Sequence, residues 1–470
     1  MPHISMLSSM TTKNKSFFYS LFLSSVAAIG GFLFGYDSAV INGTVSAIQQ
    51  AFGTSSVTSG FSVASMLLGC AVGAFFAGNV ADRLGRKPVM FFTGILFLVS
   101  AFGSGIASGA FEFVIYRLLG GFAVGAASVL APTYISEIAP PSIRGRLASM
   151  QQLAIVVGIF SAFLVNYAIA KTSGGASLPF LLGIPAWSWM FWSELVPAFL
   201  FIILLFLIPE SPRYLVSVKK EAKAKRILTR LLPKNVIEET LDEIRESLHR
   251  EHKPRFSDIF RNGKVLTIVW IGIALGIFQQ FVGINVVFYY GSVLWQTAGF
   301  TESNALLINV LSGTVNIVST LVAIALIDKA GRKPLLLAGS IGMTITLGVL
   351  TVLFTLTQSS GGEIHMSPIQ ATIALVTAHL YIFCFGVSWG PTLWVLLGEM
   401  FNNKIRGAAI STAASAQWVA NFAITMTFPL LLAAFGLFAA YGLYTLFAFL
   451  SIFFVLSFVK ETKGKKLEDM

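Results

Sequence analysis

Charge is scarce in this chain: 11% of its 470 residues are Asp, Glu, Lys or Arg, against about 25% in an ordinary soluble domain. With 55% hydrophobic residues and a mean hydropathy of +0.79, a water-soluble globular protein is excluded. Cysteine is nearly absent. Cys70 and Cys384 both fall in apolar runs, which excludes a disulfide framework and leaves them as small packing residues. No nucleophile, metal-ligand cluster or phosphate-binding loop stands in a plausible setting, so an enzyme, a metal site and a resident cofactor are not expected. The apolar run after the sixteen polar N-terminal residues carries no small-residue cleavage site, so a first membrane helix is expected there instead of a removable signal. The net charge of +11 does not indicate a nucleic-acid partner, since the cations gather in a few short loops and one charged segment with few aromatics between them.

What is present is a series of apolar runs long enough to cross a bilayer. They lie at about 17–43, 56–80, 88–109, 112–133, 145–170 and 186–208, then at 265–290, 303–327, 334–357, 370–396, 405–431 and 435–459. The fold class that follows is an all-α membrane protein of twelve transmembrane helices in two six-helix bundles. Its expected limits are a tail (1–16), an N-terminal bundle (17–208), a helical linker (209–264), a C-terminal bundle (265–459) and a second tail (460–470). Connectors carrying Arg83, Arg86, Lys87, Arg144, Arg146, Lys329, Arg332, Lys333, Lys404 and Arg406 fall on one face, and only Lys171 falls on the other. The positive-inside rule therefore predicts a multi-pass protein of the cell membrane with both termini cytoplasmic. Within the linker, leucines and isoleucines from Leu228 to Leu248 alternate with charged residues, which predicts short amphipathic helices on the cytoplasmic surface; a solvated linker is the alternative.

The halves echo each other. Asp82-Arg83-Leu84-Gly85-Arg86-Lys87 recurs as Asp328-Lys329-Ala330-Gly331-Arg332-Lys333, and Glu137 with Arg144-Gly145 recurs as Glu399 with Arg406-Gly407. Pro209-Glu210-Ser211-Pro212-Arg213 has a weaker counterpart in Lys460-Glu461-Thr462-Lys463-Gly464. Such echoes indicate a duplicated six-helix unit with a cargo site between the units.

The seventh run contains Gln279-Gln280-Phe281-Val282-Gly283-Ile284-Asn285. An unpartnered carboxamide in hydrocarbon costs roughly 2–7 kcal/mol, so these amides must face protein, water or a polar ligand. On a continuous helix Gln280 and Asn285 stand about 140° apart, with Gln279 at the edge of the same sector, and Gly283 permits close approach or local unwinding. Three uncharged amides suit a neutral polyhydroxylated molecule better than an ion; interhelical bonding is the alternative.

The glycine-anchored loop from Gly78 to Lys87, the Pro209-to-Arg213 run, the Gln-Gln-x-x-Gly-Ile-Asn core and Gly390-Pro391-x-x-Trp394 together resemble the sugar porter family of the major facilitator superfamily. The match covers nearly the whole chain and is nearest in pattern to bacterial proton-coupled sugar symporters. The resemblance implies that Gln152, Gln279, Gln280, Asn285, Asn316, Gln417 and Asn421 hydrogen-bond a monosaccharide's hydroxyls, with Trp394 beneath its ring. It also implies a protein functional as a monomer, with the proton as coupling ion. Trp418, Tyr289 and Tyr290 either belong to the pocket or simply pack, and His379 is given a structural role without a visible partner.

Asp37 and Arg117 are charges set among apolar neighbours, and unpaired ions at that depth are expensive. The family's proton-coupled members resemble this chain at the aspartate, which implies that Asp37 accepts the proton, Arg117 tunes it and Glu194 joins them. A facilitative uniporter with a structural Asp37–Arg117 pair and a transporter-like sugar receptor are the rival readings. A cytoplasmic gate is expected from Asp82, Arg83, Glu137, Arg144, Glu210, Arg213, Asp328, Arg332, Glu399 and Arg406: Asp82 and Asp328 cap or pair with neighbouring arginines, Glu137, Arg144, Glu210, Arg213, Glu399 and Arg406 form salt bridges joining the bundles in the outward-open state, and the linker acts as a latch across them. The chain departs from the family at Trp187-Ser188-Trp189, where relatives carry Trp-Arg, and at Lys460, where proline is usual.

Overall fold

The computed structural model describes residues 2–140, 143–250, 256–261, 263–356, 358–360, 363–401 and 405–463. Among the described residues, twelve helical spans are long and apolar enough to cross a membrane. The first six are Ser16–Gly43, Ser56–Leu84, Arg86–Ile106, Ala110–Ile138, Ser149–Ser173 and Ala186–Leu207. The second six are Thr267–Thr297, Glu302–Ala330, Arg332–Leu356, Pro368–Met400, Arg406–Phe435 and Leu437–Phe458. Each contains most of one run expected from hydropathy. They are numbered here one to twelve.

Packing within the bundles depends on small residues, as it must where lipid gives no hydrophobic drive for helices to associate. A methyl group added to Gly69 in span two would strike the Leu118 carbonyl of span four, and one added to Gly121 would strike the Met66 carbonyl coming back. The two backbones therefore touch. Phe, Leu and Ile side chains on the outer surface stay exposed, as at Phe92, Phe102, Val196 and Phe206, which is the surface a bilayer covers.

Three spans are broken, and each break sits where a polar residue matters. Span seven stops at Phe281, passes through Gly283 at φ 84° and restarts at Ile284. The continuous-helix geometry expected for Gln280 and Asn285 is thereby corrected: left-handed backbone, which glycine adopts without Cβ strain, turns the second half of the span. Span ten breaks at Ser388 and resumes at Trp389, one turn before Trp394. Span six is two helices, Ala186–Trp192 and Leu195–Leu207, with Ser193 and Glu194 between them.

The segment between the halves is helical at Pro212–Ser217, Glu221–Leu231 and Ile237–Arg250. Leu215, Val216, Ala224, Leu228, Ile237 and Leu241 form a small core of their own. Leu231 enters the apolar core of the N-terminal bundle, and Ser16 Oγ donates to its carbonyl. The solvated-linker alternative is thus replaced by docked helices. In this conformation their apolar residues hold to the N-terminal bundle instead of strapping both bundles together, whereas Ile259 further on enters the core of the C-terminal one.

Candidate functional site

Between the bundles lies a cavity of about 2200 Å³ that runs from the middle of the spans to the face carrying the basic connectors. Its mouth is marked by Asp82, Arg146 and Asp328, all well exposed to water. Deeper in, all eight residues assigned to the cargo line the same space: Gln152 from span five, and Gln279, Gln280, Asn285, Asn316, Trp394, Gln417 and Asn421 from the second half.

The second-half amides form a chain. Gln279 Nε2 donates to the Trp389 carbonyl (2.9 Å), while its Oε1 accepts from Gln417 Nε2 (2.5 Å) and Gln280 Nε2 (3.2 Å). Asn285 Nδ2 donates to Gln280 Oε1 (2.5 Å) across the break at Gly283. Gln279 therefore acts chiefly as the interhelical tie, joining spans seven, ten and eleven. Gln280 and Asn285 keep free donor and acceptor capacity, since an amide offers two N–H groups and two lone pairs. Asn421 Oδ1 accepts from Thr425 Oγ1 (3.2 Å) and its Nδ2 reaches Tyr289 Oη (3.5 Å). Trp394 is 42% exposed, an indole open to the cavity, which suits the C–H face of a sugar ring.

The three aromatics divide between pocket and packing. Tyr289 and Trp418 line the cavity, and Trp418 reaches Phe34 of the opposite bundle at 6.2 Å between ring centroids. Tyr290 does pack, its hydroxyl donating to the Thr425 carbonyl and its ring lying against Phe428. His379 has partners: Nδ1 meets the Leu375 carbonyl at 2.7 Å and Nε2 meets Ser312 Oγ at 3.3 Å.

Asp37 and Arg117 form an ion pair inside the N-terminal bundle, each 1% exposed, and Arg117 also donates to Met66 Sδ at 2.8 Å. Glu194, also 1% exposed, lies within electrostatic reach of both. Asp37 Oδ2, Arg117 Nε and both Glu194 carboxylate oxygens have no hydrogen-bond partner among the described residues. This is a buried cluster of two carboxyls and one guanidinium, placed behind the cavity wall rather than in it.

At the basic face the charges make two matching clusters. Arg86 grips Glu137 through Nε (3.0 Å) and Nη2 (2.9 Å) and pairs with Asp82 at 2.8 Å. Arg332 grips Glu399 through the same two nitrogens (3.0 and 2.8 Å) and pairs with Asp328 at 3.1 Å. Glu210 accepts the backbone N–H groups of Arg86 and Lys87, as Glu461 accepts those of Arg332 and Lys333. Burial pushes the Glu210 carboxyl above its ordinary range against these bonds. Glu461 is less buried, and its four backbone N–H partners outweigh burial and hold it below that range.

Asp82 and Asp328 pair with neighbouring arginines as expected, and in this conformation, open at the basic face, the gate residues do not join the bundles. These pairs close within each bundle, not between bundles, because the cavity opens between the two sets at this face. Arg86 is the hub of the first set, whereas Arg83 contributes its carbonyl to Tyr214 Oη (3.2 Å). Arg213 turns to Ser247 in the docked helices, and Arg406 donates to the Phe401 carbonyl. The Arg144 side chain lies outside the described residues. The internal echo carried the signal for Arg86, which aligns with Arg332.

The opposite face is shut. Asn42, 1% exposed, donates Nδ2 to the Phe288 carbonyl (2.8 Å) and accepts from Ser292 N (3.1 Å) and Asn309 Nδ2 (2.7 Å), all three in the other bundle. Further out, Glu302 accepts the Ala176 N–H at 2.9 Å, again across the bundles.

Residues 23–470 match the family described as "Sugar (and other) transporter". The glucose transport protein of Synechocystis sp. is 56% identical over 464 residues, covering 98% of this chain and 98% of its own. The D-xylose-proton symporter of Escherichia coli K12 is 39% identical over 496 residues, covering 98% of this chain and 96% of its own. Among solved structures, the partially occluded inward-open conformation of the xylose transporter XylE from E. coli superposes with a TM-score of 0.82 at 36% identity, covering 95% of this chain and 99% of that one.

Proposed function

The chain belongs to the sugar porter family of the major facilitator superfamily, and from that premise we propose that it moves a monosaccharide, a hexose or a pentose, across the cell membrane with a proton by alternating access. The observation that carries this reading is the convergence of Gln152 from one bundle with Gln280, Asn285 and Trp394 from the other on one water-reached cavity. Amides address the hydroxyls on the ring's edge and the indole addresses its face. At about 0.5–1.5 kcal/mol net per hydrogen bond, less the ordering cost, affinity falls in the micromolar to millimolar range, which lets the cargo leave.

Asp37, Arg117 and Glu194 supply the coupling. A buried set of two carboxyls and one guanidinium is short of one positive charge, and a bound proton provides it without a further buried ion. Because Asp37 sits in span one and Glu194 at the break in span six, proton binding changes the charge balance where these helices meet. The basic face, with both termini, is assigned to the cytoplasm, so the conformation described here is the one that releases cargo inward. The chain is taken to work as a monomer, with no cofactor beyond the proton.

Uptake of radiolabelled D-glucose and D-xylose into proteoliposomes, with an imposed inward proton gradient and with a protonophore added, tests the reading. Accumulation above the external concentration is expected with the gradient and not with the protonophore. Asp37→Asn is expected to abolish accumulation and preserve sugar exchange; accumulation that survives both treatments would overturn proton coupling through Asp37, and equilibration without accumulation even under the gradient would leave a uniporter.

A further inference from the structure

Gln151, next to Gln152 at the start of span five, is not among the residues that the family resemblance assigns to the cargo. It lines the same cavity and is 7% exposed. Neither its Nε2 nor its Oε1 has a hydrogen-bond partner among the described residues. The facing amides behave differently: Gln279, Gln280 and Asn285 are tied into the chain that anchors span seven.

A buried amide with both polar ends unbonded is rare and costly. The local packing is made for it. A methyl group added at Gly31 of span one would lie 2.7 Å from Gln151 Cδ, Nε2 and Oε1 alike, so the amide plane lies flat across that glycine. One turn on, Gly35 meets the Ile155 carbonyl in the same way. Spans one and five thus run side by side in fixed register, and the gap left by Gly31 stores an amide that the polypeptide does not satisfy.

We propose that Gln151 is a further cargo ligand, the N-terminal bundle's second hydrogen-bonding contact with the monosaccharide, taken up when the bundles close around it. The inference rests on the sugar-transport reading given above. The C-terminal wall is tied together by its own bonds with part of its amide capacity left over, and the N-terminal bundle adds in Gln151 an amide whose donor and acceptor are both unspent. A neutral hydroxyl, which both accepts and donates, is the chemical partner that fills both at once. Gln151 then discriminates among monosaccharides by the hydroxyl on the ring edge turned to span five. Because its amide rests on the helix that carries Asp37, drawing it toward cargo also loosens the packing of span one.

The test uses the full chain purified in detergent, with binding of D-glucose and of the series of monodeoxy-D-glucoses measured for the wild type, Gln151→Leu, Gln151→Asn and Gln280→Ala. Gln151→Leu removes both polar atoms at nearly constant volume. In the absence of sugar its thermal unfolding temperature should be unchanged or higher, because an unpaired buried amide has been removed. Its Kd for D-glucose should rise about 3- to 10-fold, the loss of one or two hydrogen bonds. For one monodeoxy sugar the variant and the wild type should bind equally well, and Gln151→Asn should recover part of the lost affinity. An unchanged Kd, or the same fold loss for every deoxy sugar, overturns the inference. Failure of the wild type to bind any of these sugars, or full binding by Gln280→Ala, instead overturns the transport reading on which it rests.

Discussion

Single residues carry the recognition chemistry, and the exposure of Trp394 is the sharpest case. A large indole left 42% exposed at the middle of a membrane protein gains nothing from lipid and little from packing, so its use lies in the cavity it faces. Trp394→Ala should raise the half-saturating concentration for uptake about 5- to 10-fold, since an aromatic contact is worth roughly 0.5–1.5 kcal/mol beyond its area. Initial-rate uptake across sugar concentrations measures it, and an unchanged value would remove the indole from the site. Gln279, Gln280 and Asn285 were legible because amides in hydrocarbon stand out at once, whereas Gln152, Asn316, Gln417 and Asn421 were implied only by the family resemblance. The sequence did not separate their roles. Only the bond geometry shows Gln279 spent on tying three spans together while Gln280 and Asn285 keep capacity to spare. Gln151 was hidden because nothing in a pair of adjacent glutamines tells which lies against a glycine.

At the scale of elements, the breaks decide where polar groups point. Gly283 holds φ 84°, and a methyl group placed there would run into the Tyr444 ring. Gly283→Ala should therefore destabilise the C-terminal bundle by about 1–3 kcal/mol, through backbone strain and the displaced ring. Thermal unfolding in detergent gives the number, and a stability equal to wild type would mean that the turn is not constrained. The span limits were readable from hydropathy, and the breaks in spans six and ten had signals that hydropathy passes over: Pro197 cannot donate to the Ser193 carbonyl four residues back, and Gly386, Gly390 and Pro391 flank Ser388.

The two carboxylates that close the basic-face clusters are a second matter of elements. Glu461 is held below its ordinary range, so the docking that it contributes is present above its unfolded value of about 4.3 and is lost as pH falls through its lower folded value. Glu210 is held above its ordinary range, so its ionised form is penalised on folding and this penalty disappears as pH falls through the raised value. On acidification of the basic face Glu210 takes its proton before Glu461 does. Infrared titration of the carboxyl C=O stretch, with Glu210→Gln and Glu461→Gln as assignments, should show the Glu210 band first; the reverse order would contradict the contrast in burial.

For the whole molecule, the described conformation is fixed by what crosses between bundles. Polar crossings lie at the shut face, through Asn42 and Glu302, and the charge clusters at the open face close within their own bundles. The duplicated motifs told correctly that each half repeats a charged device, but repetition alone does not say whether two copies bind each other or themselves. Asn42→Ala removes three buried hydrogen bonds between the bundles and should shift the population toward the state open at the opposite face. A cysteine placed at Ser292 and probed with a membrane-impermeant thiol reagent from that face should label at least several-fold faster in the Asn42→Ala background than in its absence. Equal labelling would mean that other contacts hold the face shut.

The account depends most on a single cargo surface assembled from both bundles. Equilibrium binding of D-glucose and D-xylose by titration calorimetry, comparing the wild type with Gln152→Ala from the first bundle and Gln280→Ala from the second, tests that directly. The account predicts that each substitution weakens binding of at least one of these sugars by about 10-fold or more. Wild-type affinity in either variant would contradict it.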